Sequence, residues 1–313
     1  MEKNKLSSYF LIGLAGVVVL IGPAVLSPYF LMKLYCFMLF ACAFNLLLGY
    51  SGLLSFGHAA YFGMASYTTG HVMKNWGLTP ELGILVGVMC AALMGMVFGW
   101  IAIRRHGIYF SMITLALAQM VYFFCLQAPF THGEEGIQAV PRGRLLGLID
   151  LSATMPMYYF VAAVTGISLW LIWRIVHSPF GRVLESIKEN EPRAISLGYR
   201  TNRYKLLAFV LSATLAGVAG SLKVLSIQLA SLTDVYWHAS GEVVLMSLLG
   251  GMNTVFGPAL GAAILVSMQT YLAQTGSWIT IIQGAIFLAC VLMFRKGIIG
   301  EIIAISKRIS AAK

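Results

Sequence analysis

The composition of this chain excludes an ordinary soluble globule. Its 313 residues are 59% hydrophobic and only 10% charged, and the mean hydropathy is +0.84. That leaves too little polar surface to cover a soluble protein of this length. The net charge of +10 would suit nucleic acid if the basic residues formed one patch, but they lie in separate clusters along the chain. We therefore expect a lipid membrane as the partner, and no nucleic acid.

Apolar segments of about 20 residues, the length of a membrane-spanning helix, recur along the chain. They are apolar on all sides, without the alternation of a membrane β-barrel, and lipid favours helices because their backbone hydrogen bonds are internal. We predict an all-α polytopic membrane protein, a single transmembrane domain over residues 1–313 with about ten transmembrane or partly spanning helices. The predicted segments are 9–27, interpreted as an uncleaved first span, then 29–49, 54–73, 82–103, 108–128, 157–176, 206–228, 241–252, 256–274 and 277–294.

The basic residues predict the orientation of these segments. They concentrate near the amino terminus, at Arg104 and Arg105, within 174–205 and after residue 294. With ten segments, all of these regions fall on the same side, and an excess of Lys and Arg marks the cytoplasmic side. We predict that both termini are cytoplasmic.

No pattern in the sequence points to catalysis. The five cysteines are scattered through apolar segments without metal-ligand spacing, and the six histidines are dispersed. No Ser/His/Asp arrangement can be assembled from the spacing, and the chain contains no G-x-x-x-x-G-K-[ST] phosphate loop. We expect a non-catalytic protein with no metal and no cofactor, in which any ATP is bound by another chain.

The segment 177–205 is the longest charged stretch and still has helical character. A helix begins at Ser178-Pro179, and Val183, Leu184 and Ile187 have the spacing of an apolar stripe.

A second, shorter helix follows. Pro192 suits its first turn, Glu191 lies near its amino terminus, and Gly198 occupies a C-cap position. Ala194, Ile195 and Leu197 would then form an exposed apolar ridge. The segment is either a solvated loop along the membrane or a docking helix for a cytoplasmic partner.

Two Gly-rich breaks interrupt the apolar segments. LLGYSG leads to FGHA at residues 47–59, and LLGG leads to FGPA at 248–259, so the two breaks resemble an internal repeat. Interrupted helices often line a substrate pathway in transporters, whereas Gly and Ser also simply allow helices to pack closely, which we favour for the repeat. His58 has the same two interpretations, and a hydrogen-bonded core imidazole is favoured. The candidate pathway residues are Ser51, Gly52, Ser55, His58, Gly250, Gly251 and Asn253.

Few charged residues fall within the apolar segments. Lys223, Asp234 and Glu242 lie near the outer ends of theirs, where we expect the lysine to snorkel and the acids to remain hydrated. We therefore favour structural anchoring over a proton relay, which weakens the case for a secondary transporter.

Four motifs taken together resemble the permease subunits of branched-chain amino acid ABC transporters, the LivM/LivH type. They are NLLLGYSGLLSFGHAAYFGMASY from residue 45, THGEEGIQAVPR from 131, GRVLESIKENEPRAISLGYRTNRYKLLAFVLSATLAGVAGSL from 181 and SLLGGMNTVFGPALGAAIL from 247. The resemblance implies the ABC importer permease fold in a bacterial inner membrane and import of branched-chain amino acids. Urea, amides or other small polar solutes are the alternative cargo.

The resemblance also assigns a role to the segment 177–205. It implies that residues 185–198 are the coupling segment that inserts into an ATP-binding subunit, with Glu191, Ala194, Ile195, Leu197 and Gly198 as coupling residues. Importers of this class carry E-A-A-x-x-x-G there; this chain keeps Ala194 and Gly198, has Pro192 and Arg193 before them, and places its acid one position early.

The partners implied by the resemblance are a second homologous permease, two ATP-binding subunits and a periplasmic or extracellular substrate-binding protein. The predicted extracytoplasmic loop 129–156 is either a solvated connection or the place that receives this binding protein, and the resemblance favours the second interpretation.

Overall fold

A computed structural model of the chain describes residues 22–301 except 146, 148, 253, 273–277, 294–296 and 299. Over these residues the fold is a bundle of helices with four two-residue strands. The helices are α1 Pro28–Ser51, α2 His58–Asn75, α3 Pro80–Ala102, α4 Ile108–Gln127, α5 Thr154–Val176, α6 Pro179–Glu189, α7 Glu191–Ser196, α8 Thr201–Ile227, α9 Trp237–Gly250, α10 Gly257–Tyr271 and α11 Trp278–Met293.

Nine of the ten predicted segments correspond to these helices, which confirms the all-α polytopic fold. Within the described part of the chain, five helices are long and apolar enough to cross a membrane, namely α1, α3, α4, α5 and α8. Residues 9–21 of the first predicted segment, 9–27, lie outside the described residues. One boundary was wrong: α8 begins at Thr201, so the last residues of the predicted loop 177–205 already belong to a long helix.

Local sequence explains where several helices begin and end. Proline occupies the first turn of α1, α3, α6 and α10, where its missing N–H costs nothing and its fixed φ suits the helix. Helix α1 ends at Gly52, whose φ of 70° is a left-handed conformation that glycine adopts without strain.

Helix α8 is the centre of the bundle. It packs against α1, α2 and α3, and both α1 and α8 are mostly buried. Helices α3, α4 and α5 are mostly exposed and present large apolar side chains such as Leu93, Phe123 and Trp170 to their surroundings. An exposed apolar surface of this extent is stable in lipid and not in water.

The two ends of the bundle differ, and we name them by their residues. The basic end carries residues 102–107 and 177–200, and the loop end carries residues 128–153. At the loop end, strand β1 (Ile137–Gln138) pairs antiparallel with β4 (Leu229–Ala230), and β2 (Arg144–Leu145) pairs with β3 (Ile149–Asp150). The segment after α4 is thus folded onto the end of α8.

A buried arginine fixes this arrangement. Arg142 donates from Nε to the carbonyl of Leu225 (3.2 Å) and from Nη2 to the carbonyl of Ser226 (2.8 Å). These carbonyls belong to the last turn of α8, where helix oxygens lack partners within the helix and a cation is favourable. The guanidinium therefore joins the loop end to the central helix.

We expect Arg142→Met to lower the apparent unfolding midpoint of the purified protein by several degrees. The substitution leaves two buried carbonyls without their charged donor, a loss of about 1.5–3 kcal/mol for a hydrogen bond to a charged group. Thermal unfolding in detergent measures the effect. Arg144→Met removes the same charge from an exposed side chain two residues away and should leave the midpoint unchanged; equal effects of the two substitutions would contradict this role.

Candidate functional site

The basic end carries the predicted pair of helices, and the structure confirms both. Helix α6 buries Leu184 and Ile187 against the bundle, as their spacing predicted. The amino terminus of α7 is capped by Asn190, whose Oδ1 accepts from the backbone N–H of Arg193 at 3.0 Å. At the other end, α7 ends at Ser196, and Gly198 just beyond it adopts a left-handed φ of 88°, in agreement with the predicted helix end.

The exposed ridge of α7 differs from the prediction at one position. Ile195 and Leu197 are 56% and 70% exposed, but Ala194 is only 2% exposed. The expectation that Ala194 belongs to the ridge was wrong, because α7 lies on the bundle through the face that carries this alanine. The ridge consists of Ile195 and Leu197, with Tyr199 beside them, also exposed.

Glu191 holds α7 in place. Its Oε1 accepts from Nζ of Lys205 at 2.6 Å, and its Oε2 lies 3.6 Å from Nδ1 of His106. Partial burial alone would raise the pKa of this carboxyl, but the hydrogen bond and charge of Lys205, with Thr201 and His106, outweigh it and hold the pKa below its usual value. Since Lys205 is itself buried, the pair fixes α7 rigidly to the start of α8.

A second contact connects the basic end to the first Gly-rich break. Nζ of Lys188, in the last turn of α6, donates to the carbonyl oxygen of Gly49 at 2.6 Å. A displacement of α6 would therefore be transmitted directly to the end of α1. This contact was not predicted from the sequence, because nothing in the pattern of α6 indicates which distant carbonyl its lysine reaches.

The pathway candidates of the first break are largely enclosed. Ser51 is buried and donates to the carbonyl of Leu47 at 2.6 Å, and Ser55 is buried and accepts from the N–H of Gly57 at 3.2 Å. Gly52 is exposed and lies against the side chain of Lys188.

His58 lies in the core between three helices. Its Nε2 is 2.8 Å from Oγ of Ser212, and that hydroxyl donates its single proton to the carbonyl of Ala43 at 2.6 Å. Nε2 must then be the donor to Ser212. The ring is fully buried, with Phe44 and Tyr61 at its edges. This geometry is that of a hydrogen-bonded core imidazole.

The second break packs directly on the first. Nδ2 of Asn45 donates to the carbonyl of Thr254 at 3.0 Å, and a Cβ at Gly49 would overlap the carbonyl oxygen of Met252. Gly250 and Gly251 are buried, and a Cβ at Gly250 would overlap the backbone of Gly257. Asn253 lies outside the described residues. The structure thus brings the two breaks together, and close backbone packing explains their glycines.

The charged residues at the loop end are not hydrated as expected. Nζ of Lys223 lies 2.5 Å from Oδ2 of Asp234, and the two residues are only 6% and 9% exposed. The expectation of a snorkelling lysine and a wet acid was wrong, because the turn after β4 folds back over the end of α8 and closes this pair off.

These residues line a cavity at the loop end, which we call the charged cavity. It is bounded by α1, α2, α8, α9 and α10, and its volume is about 360 Å³. Lys33 and Gln269, on α1 and α10, were not singled out from the sequence, although an ionisable residue within an apolar segment is itself a signal of function. The lining residues are Lys33, Phe37, Phe62, Lys223, Ile227, Ser231, Thr233, Asp234, His238, Ala239, Glu242 and Gln269.

The bundle and its five long apolar helices define an all-α polytopic membrane protein. Residues 26–291 match the family "Branched-chain amino acid transport system / permease component". The chain therefore belongs to this family of permease components.

Curated relatives carry several cargoes in their names. The high-affinity branched-chain amino acid transport system permease protein LivM of Escherichia coli (strain K12) is 26% identical over 278 residues, which cover 82% of this chain and 65% of LivM. The ribose import permease protein RbsC of Bacillus subtilis (strain 168) is 27% identical, with 58% of each chain covered. The autoinducer 2 import system permease protein LsrC of Salmonella paratyphi B is 27% identical, with 60% of this chain and 53% of LsrC covered. No solved structure matches the chain significantly.

We expect Gly250→Ala to reduce the yield of folded protein at least severalfold. The added methyl group would enter the backbone of Gly257, where α9 and α10 meet, and the helices would have to separate. Size-exclusion chromatography after extraction measures the folded fraction. Gly241→Ala is the matched control in the same helix, since a Cβ there meets none of the described atoms within 4 Å; a comparable loss in that variant would contradict the packing argument.

Proposed function

We propose that this chain is the membrane permease subunit of an ATP-driven importer of branched-chain amino acids. The observation that supports the coupling to ATP most directly is the exposed pair Ile195 and Leu197 on a short helix that is fixed to the bundle by Glu191 and Lys205. Family membership and the coverage of LivM support the importer class and the cargo. The chain covers 65% of LivM, so the activity of the whole relative enters here only as a proposal.

The ATP-binding subunits would dock at the basic end. A rigid helix with two exposed apolar side chains suits insertion into a groove of a soluble partner. Movement of α7 would reach α8 through the Glu191–Lys205 pair, while movement of α6 would reach the first break through Lys188 and Gly49. In this proposal Glu191, Ala194 and Gly198 fix the position and the end of the coupling helix, and Ile195 and Leu197 contact the ATP-binding subunits.

The remaining parts of the assembly follow from the same proposal. The chain is a single permease domain that pairs with a second homologous permease in a bacterial inner membrane, with the basic end and both termini in the cytoplasm. The loop 129–156 receives an extracytoplasmic binding protein. Its exposed charges, which include Glu134, Glu135 and Asp150, would steer docking electrostatically. Ser51, Gly52, Ser55, Gly250 and Gly251 belong to the two packed Gly-rich breaks, which we assign to the substrate pathway as a constriction rather than as a binding pocket. Asn253 stays a sequence-based candidate for the same pathway.

A second candidate cargo is another small polar solute, such as urea, an amide or a sugar. The similarity to a ribose permease and to an autoinducer 2 permease favours it, because it shows that related chains serve different solutes. A secondary transporter is the lesser alternative, and membership of the permease family weighs against it.

Reconstitution tests the function. Liposomes containing this chain, its partner permease and both ATP-binding subunits should accumulate labelled leucine, isoleucine and valine only when ATP and the binding protein are present. The permease chains alone should accumulate nothing. Uptake driven by an ion gradient without ATP-binding subunits would overturn the proposal, and accumulation of ribose or urea in place of the three amino acids would favour the second candidate.

We expect the double substitution Ile195→Asp and Leu197→Asp to reduce ATP-driven uptake at least about tenfold. Two carboxylates in an apolar groove would lose their hydration without gaining partners, so the ATP-binding subunits would dissociate more readily. Co-purification of these subunits and ATPase activity stimulated by the binding protein measure the effect. Ser196→Asp places a charge on an exposed position between the two residues and should retain most activity; unchanged uptake in the double variant would reject the docking role.

A further inference from the structure

The charged cavity has the size and lining of a small-molecule site. Its volume of about 360 Å³ falls within the range of roughly 300–1,000 Å³ usual for ligand pockets, which combine apolar walls with a few polar groups. Five helices contribute to it, and a cavity at the meeting point of several helices changes shape when the bundle moves.

Two of its charges neutralise each other. Nζ of Lys223 bonds to Oδ2 of Asp234 and lies 3.2 Å from the carbonyl of Leu229. Asp234 also accepts from the backbone N–H of Ser231. This buried pair is satisfied internally and makes one wall of the cavity rigid without leaving a net charge.

The ammonium group of Lys33 faces the charge of Glu242 beyond ion-pair distance. It lines the cavity and is partly buried, and among the described residues it makes neither a hydrogen bond nor an ion pair. A cation in an apolar segment is costly unless an anion or hydrogen-bond acceptor reaches it. Since neither Glu242 nor Asp234 comes within ion-pair distance of this ammonium group, its direct contact positions are open to an anionic group in the cavity.

Glu242 supplies a negative charge with spare capacity. Its Oε1 accepts from Nε2 of Gln269 at 2.7 Å and lies 3.7 Å from Nδ1 of His238. An ionised carboxylate offers about four acceptor positions, so Oε2 remains available to a further donor. Gln269 holds this carboxylate in place, and the cavity thus presents one available cation and one available anion.

The rest of the lining is apolar. Phe37, Phe62 and Ile227 contribute side chains to the same cavity. A ligand that matches all three features carries a carboxylate, an ammonium group and a hydrocarbon side chain.

We propose that the charged cavity binds a free α-amino acid as the zwitterion, with its carboxylate on Lys33, its ammonium group on Glu242 and its side chain against Phe37 and Phe62. The permease then has a cargo site of its own at the loop end, separate from any site in the binding protein. This inference rests on the proposed function, because it names how the same cargo is recognised after delivery.

The test measures equilibrium binding of labelled leucine to the purified complex of both permeases and the ATP-binding subunits, without the binding protein. The wild-type complex should bind leucine at least about tenfold more tightly than 3-methylbutylamine, which lacks the carboxylate, or 4-methylpentanoate, which lacks the ammonium group. That factor corresponds to the loss of one charge-assisted hydrogen bond. Equal affinities for the three compounds would overturn the proposal even without any variant.

Two substitutions assign the partners within the cavity. Lys33→Met should weaken leucine at least about tenfold and leave 3-methylbutylamine unaffected, and Glu242→Gln should weaken leucine equally and leave 4-methylpentanoate unaffected. Lys74→Met removes the same charge as Lys33→Met from an exposed position at the loop end and should change nothing. Lys33→Arg and Glu242→Asp retain the charge and should restore most of the affinity, which separates recognition from a folding defect.

The outcomes separate this inference from the proposed function. Unchanged leucine binding in Lys33→Met and Glu242→Gln, with ATP-driven leucine uptake intact in the wild type, would overturn the cavity and leave the importer standing. Wild-type complexes that import none of the three branched-chain amino acids would instead overturn the proposed function. Displacement of leucine by phosphatidylethanolamine, a zwitterionic lipid, would assign the cavity to a headgroup and also overturn the inference.

Discussion

Helix α8 connects the basic end of the molecule to the loop end, and it is held along its length because α1, α2 and α3 pack against it. At its amino-terminal end, Lys205 holds Glu191 of α7. At its carboxyl-terminal end, Lys223 holds Asp234, and the last carbonyls accept from Arg142. A helix packed on several sides moves as one body, so a force applied at the basic end reaches the charged cavity without any flexible connection.

The close approach of the helices depends on residues without bulky side chains. A Cβ at Gly220 would overlap the carbonyl of Phe62, and a Cβ at Gly217 would press on the methyl group of Ala91. In lipid, helices gain little from burying apolar surface against one another, so tight van der Waals contact and hydrogen bonds such as that between His58 and Ser212 must hold them together. These glycines of α8 are therefore points of contact between helices.

The predictions that Ala194 is exposed and that Lys223 reaches water were wrong, and they show which contacts the sequence could not predict. The residue pattern of α7 predicted a short helix, its N-terminal residues and its end. On so short a helix, however, the side that is buried depends on the neighbouring element, and here Glu191 attaches α7 to Lys205 of α8. Likewise, the position of Lys223 in its segment suggested access to water, and a turn eleven residues later closed it off. Both errors concern contacts between segments that are distant or differently oriented in space.

The sequence by itself determined the membrane class, nine of the helical segments, the short helices of the basic end and the family. These properties depend on hydrophobic length, local caps and motifs, which act over a few residues at a time. Only the tertiary structure decided that the two Gly-rich breaks touch, that Lys188 reaches Gly49, and that Lys33 and Glu242 share one cavity. Each of those facts is set by how helices far apart in the chain pack against one another, which no local pattern encodes.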